Sequence, residues 1–101
     1  MRPNVEKWLK EHRIKNYTIN DDLTIDVKGG VHLYGYKEKQ LPEYIQFGRV
    51  DRSFNIGASN LTTLVGCPQY VGGDFYYCSC NKKITLKDVQ NNCAVRGDII
   101  F

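Results

Sequence analysis

The chain has 101 residues, 42% of them hydrophobic and 25% charged, which is enough for one domain with a thin core and too short for two. Its 14 Lys and Arg against 11 Asp and Glu leave a net charge of +3, too mild to mark a nucleic-acid binder and of the wrong sign for an acidic DNA mimic. No apolar run approaches the roughly 18 residues of a membrane span, and the charged, amphipathic start does not read as a signal peptide, so a cytoplasmic protein with no membrane partner is predicted.

Pro3 suits a first helical turn, and Val5, Trp8, Leu9 and His12 recur at helical spacing opposite Glu6, Lys7, Lys10, Glu11 and Arg13, which predicts an amphipathic helix over 3–13. From Ile14 the period drops to two. Ile14, Tyr17 and Ile19 lead into an Asn20-Asp21-Asp22 turn, and Leu23, Ile25 and Val27 alternate after it, the pattern of a β-hairpin.

An internal repeat follows. Val27, Val50, Val71 and Val95 each open a segment with a small or polar break, then two apolar residues two apart: Val31 and Leu33, Phe54 and Ile56, Phe75 and Tyr77, Ile99 and Phe101. The starts lie 23, 21 and 24 residues apart (50 − 27, 71 − 50, 95 − 71), within the period of leucine-rich repeats and too short for two helices per repeat. Connectors around Leu41, Asn60-Leu61, Leu64 and Asn81 to Leu86 carry apolar plugs, so Leu41, Ile45, Leu61, Leu64, Ile84 and Leu86 are expected to close the core from the far side. Asn60 and Asn81 are read as satisfying backbone groups where strand turns into arc.

The predicted fold is mainly β with α: a short leucine-rich-repeat-like solenoid with a parallel sheet, capped by an N-terminal helix and hairpin. It is one domain, with 1–26 as the cap and 27–101 as about three and a half repeats of 21–24 residues. The run from Phe54 to Pro68 followed by Val71-Gly-Gly-Asp-Phe75 resembles bacteriophage-encoded leucine-rich-repeat-like proteins, with their "Leu-Thr-x-Leu-x-Gly-x-Pro" and "Val-Gly-Gly-Asp-Phe" phrases. The likeness covers roughly Leu23 to Phe101. It departs at Lys82 and Lys83, and at Asp88 to Asn92, which lacks the Gly-x-Pro turn. It implies a phage or prophage origin and a fold, and brings no catalytic residues with it.

Little in the chain points to chemistry. Cys67, Cys78, Cys80 and Cys93 match no usual zinc spacing, so no metal is expected and packed free thiols are the simpler reading. His12 and His32 stand in no triad order. The Gly29-Gly30 and Gly72-Gly73 pairs are read as turns before a strand rather than phosphate cradles, and Asp51, Asp74 and Asp98 as turn residues. No enzyme activity and no cofactor are therefore predicted.

A binding face is the stronger expectation, because repeats stack their outward residues side by side. His32, Tyr34, Tyr36, Arg49, Arg52, Asn55, Tyr76 and Cys78 are its candidate residues, Tyr and Arg being over-represented at interface hot spots. The same tyrosines suit the rim of a thin core equally well. Combined with the phage resemblance, this predicts a host protein as partner, inhibited or modulated by steric occlusion. Two alternatives are a binder of single-stranded nucleic acid or nucleotides using Tyr stacking with Lys37, Lys39, Arg49, Arg52, Lys82 and Lys83, and an assembly component. Ile99, Ile100 and Phe101 read as an uncharged edge open to a homodimer, to a partner's strand, or to folding back on the arc.

Overall fold

The computed structural model describes residues 2–78 and 84–101. The readings at Cys80, Asn81, Lys82 and Lys83 fall outside the described residues. Helix α1 (Arg2–Glu11) buries Val5, Trp8 and Leu9. It ends because Arg13 adopts a left-handed conformation (φ 57°), which lets Arg13 N–H reach Lys10 O and Ile14 N–H reach Leu9 O, closing the last turn as a Schellman cap. Strands β1 (Tyr17–Ile19) and β2 (Ile25–Val27) then pair antiparallel across a turn in which Asp22 Oδ1 accepts from both the N–H and the hydroxyl of Thr24.

Beyond β2 the chain coils. Strands β3 (Val31–His32), β4 (Phe47–Val50), β5 (Phe54–Asn55), β6 (Tyr70–Val71), β7 (Phe75–Tyr76), β8 (Ala94–Val95) and β9 (Ile99–Ile100) form two sheets, ordered β1-β2-β4-β6-β8 and β3-β5-β7-β9. All pairings except β1–β2 are parallel, as a solenoid requires. The mainly β solenoid with its N-terminal helix is as predicted. The single parallel sheet of that reading is corrected to two: each coil gives two short strands, one to each sheet, and the small or polar break between them is a corner. At the corner the first N–H reaches the coil before: Asp51 to Val27 O, Gly72 to Val50 O and Arg96 to Val71 O, at 2.7–2.9 Å.

Corners stack so closely that side chains are excluded at some of them. A Cβ on Gly72 would collide with the Asp51 carbonyl oxygen, whereas one on Gly29 would meet nothing within 4 Å. Another close approach occurs at a bulge, where Gly48 and Arg49 together face Asp26; Asp26 Oδ1 accepts from Arg49 N–H and lies 2.6 Å from where a Gly48 Cβ would stand.

Within a largely aliphatic core, a chain of aromatic rings steps from Phe47 across its coil to Phe54, up to Phe75 in the next coil, and on to Tyr77. Phe47, Phe54 and Phe75 are fully buried, with ring centroids 5.7 and 5.4 Å apart, and Tyr77 continues the row at 6.4 Å. Leu41, Ile45, Leu61, Leu64 and Ile84 close it from the arcs as expected. Leu86 does not: it is 36% exposed and opens helix α2 (Leu86–Asn92), whose buried residue is Val89. That helix stands where the Gly-x-Pro turn is missing, and it is started by a capping box between Thr85 and Asp88. Phe101 does not follow its counterparts Leu33, Ile56 and Tyr77 into the core: it is 74% exposed, with Ile99 and Ile100 half-buried beside it. Asn60 keeps its structural role, donating from Nδ2 to Lys37 O at 2.9 Å in the coil before.

Two glycine substitutions test the corner geometry. Gly72→Ala is expected to lower stability by about 1–3 kcal/mol, because backbone must move to admit the methyl group, while Gly29→Ala stays within about 0.5 kcal/mol of the wild type. Chemical denaturation of the two variants side by side checks this.

Candidate binding surface

The second sheet turns Val31, Phe54 and Phe75 inward and leaves their neighbours on its outer face. Parallel register sets His32 beside Asn55, Asn55 beside Tyr76, and Tyr76 beside Ile100. One step along the coils lie Tyr34, Gly57 and Cys78. Asn55 Oδ1 accepts from Gly57 N–H at 2.8 Å, fixing the turn that starts there, and the Tyr34 ring lies 3.3 Å from where a Gly57 Cβ would project. Tyr34 thus rests on bare backbone and still shows 71% of its surface. Tyr76 donates its hydroxyl to Asp74 Oδ2, and the Asp74 charge, more than burial, lifts the phenol above its ordinary range. Cys78 Sγ reaches Ile100 O at 3.6 Å.

Beside Tyr34 the end of α1 and the first coil enclose a cleft of about 410 Å³, with His12, Arg13, His32 and Tyr36 among its walls. Tyr36 is half-buried rather than displayed. Its ring lies 6.2 Å from Trp8 and 5.6 Å from His12, which stack on each other at 4.2 Å, and burial raises its hydroxyl pKa. Trp8 and His12 were read from sequence as one helix face, and that i, i+4 spacing was the available signal for this wall.

The remaining candidates sit elsewhere. Arg49 lies on the first sheet, its guanidinium 4.5 Å from the Tyr70 ring centroid and its Nε 2.7 Å from Asp51 Oδ1, an ion pair that raises its pKa. Arg52 stands at the second corner, in a separate cleft that it shares with His32. The eight predicted residues therefore divide: His32, Tyr34, Asn55, Tyr76 and Cys78 share one face, Tyr36 borders it, Arg52 touches it through His32, and Arg49 faces away.

Cys67 and Cys93 are buried and Cys78 is half-buried, all as free thiols. Among the described residues no group of three or more His, Cys, Asp and Glu is arranged to hold a metal ion, and no helix is long and apolar enough to cross a membrane. No family model, curated protein or solved structure matches the chain.

Burial pushes the Cys93 thiol up to about 11, which makes its reactivity a probe of this packing. At pH 8 its thiolate population is on the order of a hundredfold below that of the unfolded chain, so iodoacetamide should label it slowly in buffer and rapidly in denaturant. The sign also fixes a stability trend. From about pH 9 to 11 the unfolded chain loses this proton and the folded one keeps it, so stability should fall across that window. Mass-spectrometric labelling and alkaline denaturation curves measure the two effects.

Proposed function

We propose that this chain is a non-catalytic protein-binding module whose contact face is the outer side of the second sheet. The observation that carries the reading is Tyr34, a large amphipathic ring seated on the backbone of Gly57, 71% exposed, at the mouth of a cleft and beside the column of His32, Asn55 and Tyr76. Such a ring offers wide contact area at small entropic cost, and the neighbouring concavity suits an anchor from the partner. The phage-like phrases of the second and third repeats suggest a host protein as that partner, an enzyme or a component of a defence system in the host cytoplasm, inhibited by occlusion of its surface.

The nucleic-acid alternative is less favoured by the placement of the cations. Arg49 is paired with Asp51 on the first sheet, Lys37 and Lys39 lie on an arc, and Arg52 stands at a corner, so the described residues offer no single basic track along which a strand would run.

The test is a pull-down from nuclease-treated bacterial lysate with the wild type and with Tyr34→Ala, whose ring is too exposed to govern folding. A stoichiometric protein partner is expected with the wild type. Its affinity should fall about 30-fold in the variant, the loss typical of an aromatic hot spot, and the purified partner's activity should be blocked by wild type alone. Recovery of nothing but nuclease-sensitive material, or a partner indifferent to Tyr34→Ala, overturns this reading.

A further inference from the structure

The corners carry a second column of hydrogen bonds, and it is interrupted in one place. Gly30, Ser53, Asp74 and Asp98 occupy the same corner position in successive coils. Asp98 N–H donates to Asp74 Oδ1 at 2.8 Å, and Asp74 N–H donates to Ser53 Oγ at 3.3 Å. The next donor down the column is Ser53 N–H, and it faces a glycine, which has no side-chain oxygen. A Cβ on Gly30 would stand 3.1 Å from Ser53 O, 3.4 Å from His32 Nε2 and 3.7 Å from Ser53 N, so the space beside residue 30 borders the Ser53 peptide groups and the imidazole. Among the described residues the N–H groups of Gly29, Gly30 and Ser53 make no hydrogen bond.

That space belongs to a cleft of about 680 Å³ walled by Lys28, Arg52, His32, Asn16, Ser53 and the two glycines, with basic side chains and no carboxylate. We propose that this corner binds a phosphate group. One phosphate oxygen takes the place in the column that Ser53 Oγ and Asp74 Oδ1 hold in the later coils, accepting from Ser53 N–H. The guanidinium of Arg52 and the ammonium of Lys28 face the remaining oxygens. A tetrahedral oxyanion fits donors arriving from backbone and from two cations better than a planar carboxylate does. At the third and fourth corners Asp74 and Asp98 stand in the column and would repel an anion, which confines the site to the first and second corners. The inference does not rest on the binding face: the two sites meet at His32, but the corner supplies the donors and Tyr34 takes no part in it.

Inorganic phosphate titrated into the isotope-labelled chain, with sodium chloride at matched ionic strength as control, reads the site through the amide resonances of Gly29, Gly30 and Ser53. Saturable shifts at these three residues are expected from phosphate and not from chloride. The double variant Lys28→Ala/Arg52→Ala should weaken binding about tenfold or more. Gly30→Asp, which supplies the carboxylate that Asp74 supplies one coil later, should abolish it while the melting temperature holds or rises. A Cβ at residue 30 lies 3.1 Å from Ser53 O, so the backbone must yield slightly; should that variant not fold, the double variant carries the test. The proposal is overturned by no saturable shift up to about 50 mM phosphate, well above a millimolar Kd, or by undiminished shifts in Gly30→Asp. Equal binding of glutamate overturns the choice of phosphate. Tighter, length-dependent binding of oligothymidylate lacking a terminal phosphate overturns it in favour of a nucleic-acid strand.

Discussion

A backbone N–H at the start of each corner, reaching the carbonyl of the valine one coil before, sets the phase of the whole solenoid. Asp51, Gly72 and Arg96 repeat that bond on Val27, Val50 and Val71. A one-residue slip would leave buried donors and acceptors unmatched in both sheets at once and turn the core residues outward. Once the phase is held, Phe54 has to fall over Phe75 and beneath Val31, and the aromatic row follows from the backbone rather than from any preference of the rings for each other.

The same phase sorts the surface into columns, each reading the same position in successive coils. One column carries His32, Asn55, Tyr76 and Ile100 across a sheet; another carries Gly30, Ser53, Asp74 and Asp98 down a corner. Neither column is chemically uniform. The corner column changes from empty to hydroxyl to carboxylate as it ascends, so a periodic backbone presents an aperiodic pattern of charge. Recognition by such a protein depends on where a column breaks its own pattern.

The repeat was legible because burial on the inner face forces apolar residues at a fixed offset from each valine, and the valines themselves survive in all four copies. In the later coils the first strand was not legible. Two-residue strands exist only through their neighbours, and a pair such as Tyr70-Val71 has no period to detect. Helix α2 was missed for a related reason: Thr85 and Asp88 form a sound capping box, but the expectation of an apolar arc took Leu86 for a plug. On the candidate face, inward and outward positions were correctly separated for Val31–His32, Phe54–Asn55 and Phe75–Tyr76, where the residue types alternate. Tyr36 and Arg49 were misgrouped with them, because their surroundings come from α1 and from the first sheet, elements far away in sequence.

The three spacings of 23, 21 and 24 residues differ in length, yet every stretch from valine to second apolar residue is seven residues long. All the variation lies in the arcs, where the chain forms an irregular loop in one coil and a capped helix in another. Those length differences leave the corner bonds in step, as loop-closure entropy changes slowly with length. The molecule thus separates an invariant chassis from an editable flank, and a lineage under pressure to change its contacts has one side of the protein on which to gain or lose residues without refolding the other.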